Sequence, residues 1–342
     1  MVRPRRYNNY RGRRSKGKTA LAALLVLVIL AAVVVILLQR HIIYDETGLP
    51  RMEVPWKEAT QEETTTKPEL DLVIQPPEKT VGEIRGIILP VGALTQELWN
   101  RAEAGMDPAY NALAAVLKDE TGTVWFDAPS AVSGSVEVAE DTSEVLAALI
   151  GSEFHTIACV SCFHDPKAAA ADADGLGLKD AEGYLFYDGA NHQWMDPAKP
   201  AARQYVCELA VEAARLGFDE ILLTEFSYPT DGKLEQIAYG EGEKSEHLKL
   251  LLEELQDALE PYGTVLSVLV SPETVTAGQE ESSGQRLAEI AEYADRICVE
   301  TSVGDAAALN ETIKAALGDR DLFVPIITED ASAWSGSSLL IS

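Results

Sequence analysis

The chain has 342 residues, 46% of them hydrophobic and 24% charged, a composition that excludes a mainly disordered protein. Its formal net charge is -27, but residues 1–40 carry nine Lys or Arg and no acid, which leaves 19 bases against 55 acids in the rest. Such an acidic main part excludes binding to nucleic acid through the phosphates, so we expect no nucleic-acid partner.

The first element in the chain is an apolar run at residues 19–38, TALAALLVLVILAAVVVILL, which contains no charged residue. About 20 apolar residues can span the hydrocarbon core of a bilayer as a helix. Residues 1–18 hold eight bases, and the positive-inside rule places such a segment in the cytoplasm. A cleaved signal peptide is the alternative, but its apolar region would be only about 7–15 residues long. We therefore predict a single-pass cell-membrane protein with a cytoplasmic tail at 1–18, a transmembrane helix at 19–38 and an extracellular C-terminal domain.

Residues 39–82 have the composition of a flexible stalk. They contain several prolines, a run of three threonines and mixed charges, without a helical or strand period. Such a segment behaves as a linker, which would hold the following domain away from the membrane.

From residue 83 to residue 342, short apolar runs alternate with amphipathic helices. Seven runs are strand candidates: 84–92, 123–130, 155–163, 219–226, 264–270, 296–302 and 322–328. Each is almost continuously hydrophobic, as parallel strands covered on both faces are. The tail at 331–342 supplies a candidate for an eighth strand.

Helical patterns fill the spaces between these runs. The clearest covers residues 200–217, where Val206, Leu209, Ala210, Ala213 and Leu216 form one stripe and Gly217 provides a stop. Eight parallel strands with helices outside form a TIM (β/α)8 barrel, and about 250 residues is its usual size. An open doubly wound sheet is the alternative, but the first strand is followed by LPVGALTQ rather than a Gly-rich phosphate loop.

The four cysteines, Cys159, Cys162, Cys207 and Cys298, are predicted to be buried thiols. Cys159 and Cys162 lie in one strand-like run, and residues three apart on a strand point to opposite faces. We predict no cofactor and no metal site, because the sequence contains no His-x-x-x-His motif and no carboxylate cluster at ligand spacing.

A segment of about 80 residues, 155–232, carries a family resemblance. The matching parts are FHDP at 163–166, WMDP at 194–197, GFDEI at 217–221, YP at 228–229 and DG at 231–232. In order and spacing they resemble the bacterial putative glycoside hydrolase domain family. That family consists of membrane-anchored or secreted TIM barrels that are distantly similar to α-amylase-like enzymes. The resemblance therefore implies a barrel that acts on carbohydrate.

The chain departs from the family pattern at the ends of three strands. The family usually has Asp and Arg where this chain has Thr224 and Ser227. Its second strand usually ends in Asp-x-Lys, which we match to Asp127 and Pro129. Its sixth strand usually ends in Pro-Met-x-Tyr-Pro-Ser, where this chain reads CVETS at 298–302.

Glycosidases need two carboxylates, about 5–5.5 Å apart in retaining enzymes and about 6.5–9.5 Å apart in inverting ones. In a TIM barrel these groups come from the C-terminal ends of strands. Four acids are our candidates for the catalytic pair: Glu225, Glu273, Glu300 and Asp127. Glu225 ends the fourth strand, but if Thr224 faces the lumen, Glu225 should face the helices unless a bulge redirects it.

Six residues are candidates for substrate binding: Trp194, His164, Asp165, Tyr187, His192 and Tyr228. The segment EGYLFYDGANHQWMDP is typical of a hairpin, and on it Tyr187, His192 and Trp194 could form a platform for a sugar. The alternative for Trp194 is packing of the hairpin onto the barrel. The pair His164-Asp165 could bind sugar hydroxyls or cap a helix.

Two functions follow from these patterns. The first is two-carboxylate hydrolysis of a cell-wall or surface polysaccharide by an extracellular, membrane-anchored barrel. The second is a catalytically inactive barrel that binds glycan or acts as a scaffold, which the losses at Thr224 and Ser227 favour. A carbohydrate polymer is the expected partner in both cases, and the sequence leaves the oligomeric state open.

Overall fold

The computed structural model describes residues 42–44, 50–52, 77, 79–318, 320–328 and 331–342. The chain divides into two compact units, 1–72 and 73–342. In the first unit the described part is an antiparallel pair of short strands, Ile42–Tyr44 with Pro50–Met52. The transmembrane helix predicted at 19–38 lies outside the described residues, as does most of the predicted stalk. In the part of the chain that the structure describes, no helix is both long and apolar enough to cross a bilayer.

The second unit contains a closed barrel of eight parallel strands. The strands are β1 (Arg85–Ile88), β2 (Ala112–Lys118), β3 (His155–Ser161), β4 (Glu220–Thr224), β5 (Val265–Leu269), β6 (Arg296–Glu300), β7 (Phe323–Ile327) and β8 (Leu339–Ile341). Each strand pairs with its neighbours in sequence, and β8 closes the ring by pairing with β1. The predicted TIM-type barrel is thus confirmed, and the open doubly wound sheet is excluded.

Helices surround the barrel in the connections between strands. They are α1 (Gln96–Gly105), α2 (Thr142–Ile150), α3 (Pro166–Ala171), α4 (Pro200–Leu216), α5 (Lys244–Leu259), α6 (Pro272–Ala277), α7 (Leu287–Tyr293) and α8 (Val303–Leu317). Helix α4 follows its sequence pattern: the predicted stripe is buried except for Leu216, which is exposed. Gly217 ends the helix with a φ of 112°, a left-handed conformation that glycine adopts without steric cost.

The second strand lies elsewhere than predicted. The structure places it at Ala112–Lys118, whereas 123–130 forms a loop that meets Lys118 and Val136 only through single bridges at Val124. The segment ALAAVLK is rich in Ala, which has a weak preference for strands, and the aromatic residues of 123–130 suggested a strand instead. Val124, Phe126 and Ala128 are nevertheless buried, so the apolar run marks core contacts rather than a strand.

The long connection between β3 and β4 contains the predicted hairpin in reduced form. Single antiparallel bridges join Lys179 to Leu185 and Tyr187 to Gln193. Its turn is held by Asp188, whose backbone N–H donates to the carbonyl of His192 at 3.0 Å. Asn191 in this turn has a φ of 67°, a left-handed conformation that Asn tolerates better than most residues. The hairpin is held next to the end of β3 by the backbone N–H of Met195, which donates to the carbonyl of Phe163 at 2.8 Å.

Inside the barrel, a layer of apolar side chains lies next to a layer of charged side chains, which is at the N-terminal ends of the strands. The apolar layer includes Ile157, Cys159, Leu222, Cys298 and Val324. All four cysteines are free thiols, and the predicted burial is confirmed for three of them, whereas Cys207 is half-buried.

The charged layer lies at the N-terminal ends of the strands and is centred on Glu220. This buried carboxylate accepts from Arg296 Nε at 3.0 Å, pairs with His155 Nε2 at 2.7 Å and accepts a bond from the Ser267 hydroxyl. Burial alone would raise the pKa of Glu220, but the hydrogen bonds and the Arg296 charge hold that pKa below its usual value. The arrangement ties β3, β4, β5 and β6 together from inside.

We predict that Glu220→Gln lowers the free energy of unfolding by about 3–5 kcal/mol, because Arg296 would stay buried without its counter-charge. Chemical denaturation of the full chain at neutral pH measures the change. Glu235→Gln, which alters an exposed acid, is the matched control and should have little effect. A Glu220→Gln protein as stable as the parent would contradict this account.

The same carboxylate predicts a dependence of stability on pH. Because its pKa is lower in the folded chain, its contribution is complete above the unfolded value of about 4.3 and is lost as the pH falls further. Below about pH 4, the parent should therefore lose stability more steeply than Glu220→Gln does. Denaturation curves at a series of pH values test this, and equal slopes for the two proteins would count against it.

Candidate active site

A cavity of about 380 Å³ opens at the C-terminal ends of the barrel strands. This is the end at which TIM-barrel enzymes carry their chemistry. Its lining includes Ile88, Val116, Lys118, Glu120, Leu222, Thr224, Glu225, Leu269, Glu300 and Ile326. A larger cavity of about 620 Å³ lies around the opposite ends of the strands, where His155 and Asp219 line it. We take the first cavity, called the barrel mouth below, as the candidate site.

Glu225 reaches the barrel mouth through an unusual backbone conformation. Its φ is 47°, in the left-handed region that non-glycine residues seldom adopt. Thr224, one residue earlier, also lines the mouth. Regular alternation would point the second of these side chains towards the helices. The left-handed turn redirects it, so Glu225 and Thr224 line the same cavity.

Three carboxylates influence one another at the mouth. Burial, together with the nearby charges of Glu120 and Glu300, raises the pKa of Glu225 to about 7, while the charge of Lys118 acts in the opposite direction. The Glu225 side chain nevertheless remains 33% exposed, so it can be reached from solvent. A carboxyl group with such a pKa can carry a proton near neutral pH and give it up again.

Glu120 is an acid at the mouth that the sequence prediction missed. It follows β2 directly, in the segment LKDE, and it is exposed at the mouth. The prediction placed the second strand at 123–130 and therefore searched for acids after the wrong segment. The signal in the sequence was the cluster of charges at 118–120, immediately after an apolar run.

The corrected position of β2 also changes the comparison with the family pattern. The strand ends at Lys118, so the Asp-x-Lys pattern falls on Val116 to Lys118 rather than on Asp127 to Pro129. The Lys is therefore kept and the Asp is replaced by Val116. Asp127 lies in the following loop, is exposed, and does not line the barrel mouth.

Lys118 and Asp165 form a fully buried ion pair beside the mouth. Lys118 Nζ lies 2.9 Å from Asp165 Oδ2 and donates to the carbonyl of Ser161 at 2.7 Å. Asp165 also accepts from the backbone N–H of Ala168 at 2.7 Å, as the N-cap of α3. Of the two roles that the sequence allowed for Asp165, the structure shows the cap, and the buried carboxylate is out of reach of a ligand.

Trp194 packs inside the hairpin. Its ring stacks on that of His164, with centroids 4.4 Å apart and planes within 4°. Its indole N–H donates to Asp188 Oδ2 at 2.9 Å, and only 6% of the residue is exposed. The ring therefore does not offer a free face to a sugar, and packing is the role that the structure shows.

His164 joins the hairpin to the barrel mouth. Its Nδ1 lies 3.8 Å from Glu225 Oε2, and its Nε2 lies 3.7 Å from Asp188 Oδ2. Burial lowers the pKa of His164, although the neighbouring charge of Asp188 acts in the opposite direction. The side chain is thus placed between two carboxylates, one of them in the candidate site.

The remaining predicted binding residues occupy different environments. Tyr187 is 47% exposed, and its hydroxyl accepts from Gln193 at 2.8 Å. His192 is exposed on the hairpin turn, with its ring 5.2 Å from that of His164. Tyr228 is completely buried and hydrogen-bonded to Nδ1 of His247 at 2.8 Å, which leaves no surface for a substrate.

Of the four predicted catalytic acids, the structure brings together Glu225 and Glu300. Glu300 is the last residue of β6 and lines the mouth. Glu273 is exposed in the first turn of α6 and does not line it.

Comparisons with known proteins agree with this architecture. A family model described as "Putative glycosyl hydrolase domain" matches residues 94–300. Among curated proteins there is no match.

Solved structures show the same type of fold. The PgaB (BpsB) glycoside hydrolase domain from Bordetella bronchiseptica superposes with a TM-score of 0.53 at 13% identity, over 76% of this chain and 94% of that one. A hypothetical protein from Ruminiclostridium thermocellum ATCC 27405 gives 0.45 at 25% identity, over 51% and 92%. Aspergillus fumigatus Ega3 in complex with galactosamine gives 0.47 at 10% identity, over 78% and 94%. The PgaB similarity supports the barrel fold, while the other two superpositions are too weak to support an argument.

The backbone at position 225 leads to a prediction about stability. Asn adopts the left-handed conformation more readily than Gln does, so Glu225→Asn should be more stable than Glu225→Gln by about 1 kcal/mol. Both changes remove the charge, and their difference therefore reports mainly on the backbone. Chemical denaturation of the two variants measures it, and a Gln variant as stable as the Asn variant would show that position 225 is not strained.

Proposed function

Because the chain belongs to the putative glycosyl hydrolase domain family, whose model covers residues 94–300, we propose that it hydrolyses glycosidic bonds in a polysaccharide of the cell wall or cell surface. The observation that carries this proposal is the left-handed turn at Glu225, which brings its carboxyl group into the barrel mouth that Glu120 and Glu300 also line. Membership of the family supports the class of reaction, and the three carboxylates supply the groups that the reaction needs.

In this proposal Glu225 is the general acid. With a pKa of about 7 it can protonate the oxygen of the leaving sugar near neutral pH. Glu300 or Glu120, whose charge is felt at Glu225, serves as the second carboxylate, either as nucleophile or as the base that activates water. The strands β2, β4 and β6 thus each end in, or lead directly to, one of these acids.

We also propose that the protein acts outside the cell, anchored through residues 19–38. The support is the uncharged apolar run at 19–38 and the eight bases that precede it. A barrel held outside the membrane would meet a carbohydrate polymer as its partner. The strongly acidic composition of residues 41–342 suits a neutral or cationic polymer.

We predict that Glu225→Gln lowers the rate of hydrolysis by about 10²–10⁴-fold, because the general acid is lost. The test uses the full chain in a non-glycosidic detergent, with wall polysaccharides and aryl glycosides as substrates and release of reducing ends as the readout. Glu235→Gln, an exposed acid away from the mouth, is the matched control and should keep the parent rate.

The same assay identifies the second carboxylate. Between Glu120→Gln and Glu300→Gln, the substitution that removes the catalytic partner should lower the rate as strongly as Glu225→Gln does, whereas the other should have a modest effect. If the parent hydrolyses a substrate and Glu225→Gln does so equally well, the assignment of Glu225 is wrong.

A second candidate function is glycan binding without hydrolysis. The observation that favours it is the loss of Asp at two positions of the family pattern, Val116 and Thr224, both of which line the barrel mouth. The exposed aromatic side chains Tyr184 and Tyr187 on the hairpin would then be candidates for contacts with sugar rings.

If binding is the function, polymer pull-down should succeed while no reducing ends are released. Tyr187→Ala should then weaken the pull-down about fivefold or more, since loss of one stacking ring removes about 1 kcal/mol or more of contact energy. Tyr187→Phe keeps the exposed aromatic ring and serves as the control. Hydrolysis by the parent would instead favour the enzymatic function.

A further inference from the structure

Three side chains that can bind a metal ion meet where the hairpin approaches the barrel. They are His164, after β3, and Asp188 and His192, in the hairpin turn; we call them the His–Asp–His cluster. One ligand atom from each lies within 4.8 Å of those from the other two. His164 precedes Asp188 by 24 residues in sequence, and only the fold brings the three together.

One nitrogen of the cluster is buried and has no hydrogen-bond partner. His164 Nε2 is shielded from solvent, and its near neighbour, Asp188 Oδ2, lies at 3.7 Å, beyond hydrogen-bonding distance. Buried polar atoms in native proteins are almost always satisfied, so an exception calls for a ligand. This nitrogen faces the carboxylate that would share such a ligand with it.

The surroundings of the cluster resemble the outer shell of a metal centre. In such centres the ligands are oriented by further hydrogen bonds, and a histidine ligand often directs its second nitrogen towards a carboxylate. Here the Trp194 indole donates to Asp188 Oδ2, while Glu225 Oε2 lies 3.8 Å from His164 Nδ1. The stack on Trp194 also fixes the plane of the His164 ring.

We propose that the His–Asp–His cluster binds a divalent transition-metal ion of the Zn²⁺ class, with two imidazole nitrogens and one carboxylate oxygen as its protein ligands. Three protein ligands of these types leave one position of a tetrahedral zinc ion open. Calcium and magnesium prefer oxygen ligands alone and fit this set poorly. The exposed position of His192 gives the ion a route from solvent. The inference is independent of glycoside hydrolysis.

The test is zinc binding by the full chain in detergent, after treatment with a chelator. Calorimetric titration with Zn²⁺ is carried out in excess Mg²⁺, which occupies the general acidic surface of a chain with a net charge of -27. We expect one Zn²⁺ per chain to be retained after desalting, as measured by elemental analysis. His192→Ala should weaken binding by more than tenfold.

Two further variants distinguish specific binding of Zn²⁺ at the His–Asp–His cluster from general attraction of the ion to acidic residues. Glu182→Gln removes an exposed acid from the same hairpin and should bind Zn²⁺ like the parent. His192→Gln keeps a polar side chain of similar length and should weaken binding as His192→Ala does. The melting temperatures of the metal-free variants should equal that of the parent, because His192 is exposed.

The proposal is overturned if the parent retains no Zn²⁺, or if the His192 variants bind it as tightly as the parent does. Equal weakening by Glu182→Gln and His192→Ala would likewise show only general attraction to an acidic surface. None of these readouts involves a sugar. The failure of this inference and the failure of the proposed hydrolysis can therefore be told apart.

Discussion

Closure of eight parallel strands into a ring fixes which side chains share the inside of the barrel. Because side chains alternate along a strand, every second residue must fit the lumen. Along β4 this rule selects Glu220, Leu222 and Thr224, in order from the N-terminal end to the mouth. A single strand therefore supplies the buried carboxylate that ties four strands together, part of the apolar layer and part of the candidate site.

Glu225 departs from this alternation, and the departure places its carboxyl group in the candidate site. A non-glycine residue in the left-handed region costs free energy, and such residues concentrate at functional sites. The turn places a second side chain of β4 in the cavity that Thr224 already faces. Where the family pattern has Asp at 224, this chain has a carboxylate one residue later, and its direction depends on the backbone rather than on strand alternation.

The sequence was sufficient for the barrel because six of the seven predicted apolar runs contain a strand and the tail at 331–342 contains the eighth. It failed for β2, where packing overrides the weak strand preference of ALAAVLK, and that error concealed Lys118 and Glu120. Glu225 could be found as an acid after a strand, but its orientation depends on one dihedral angle. The His–Asp–His cluster could not be predicted, because it depends on how a hairpin folds back over β3. The burial of Trp194 depends on the same fold.

The described segment directly before β1 is fixed at the end of the barrel away from the mouth. Lys79 pairs with Asp295 at 2.8 Å, and the carbonyl of Gly82 accepts from Arg296 at 2.7 Å, so residues 79–82 are fastened beside the N-terminal ends of β5 and β6. The barrel mouth lies at the other end of these strands. Residues 79–82 and the barrel mouth therefore lie at opposite poles of the barrel. If the proposed hydrolysis takes place at the mouth, residues 79–82 do not obstruct a long chain of sugars that lies across it, and cleavage at an internal bond is compatible with this arrangement.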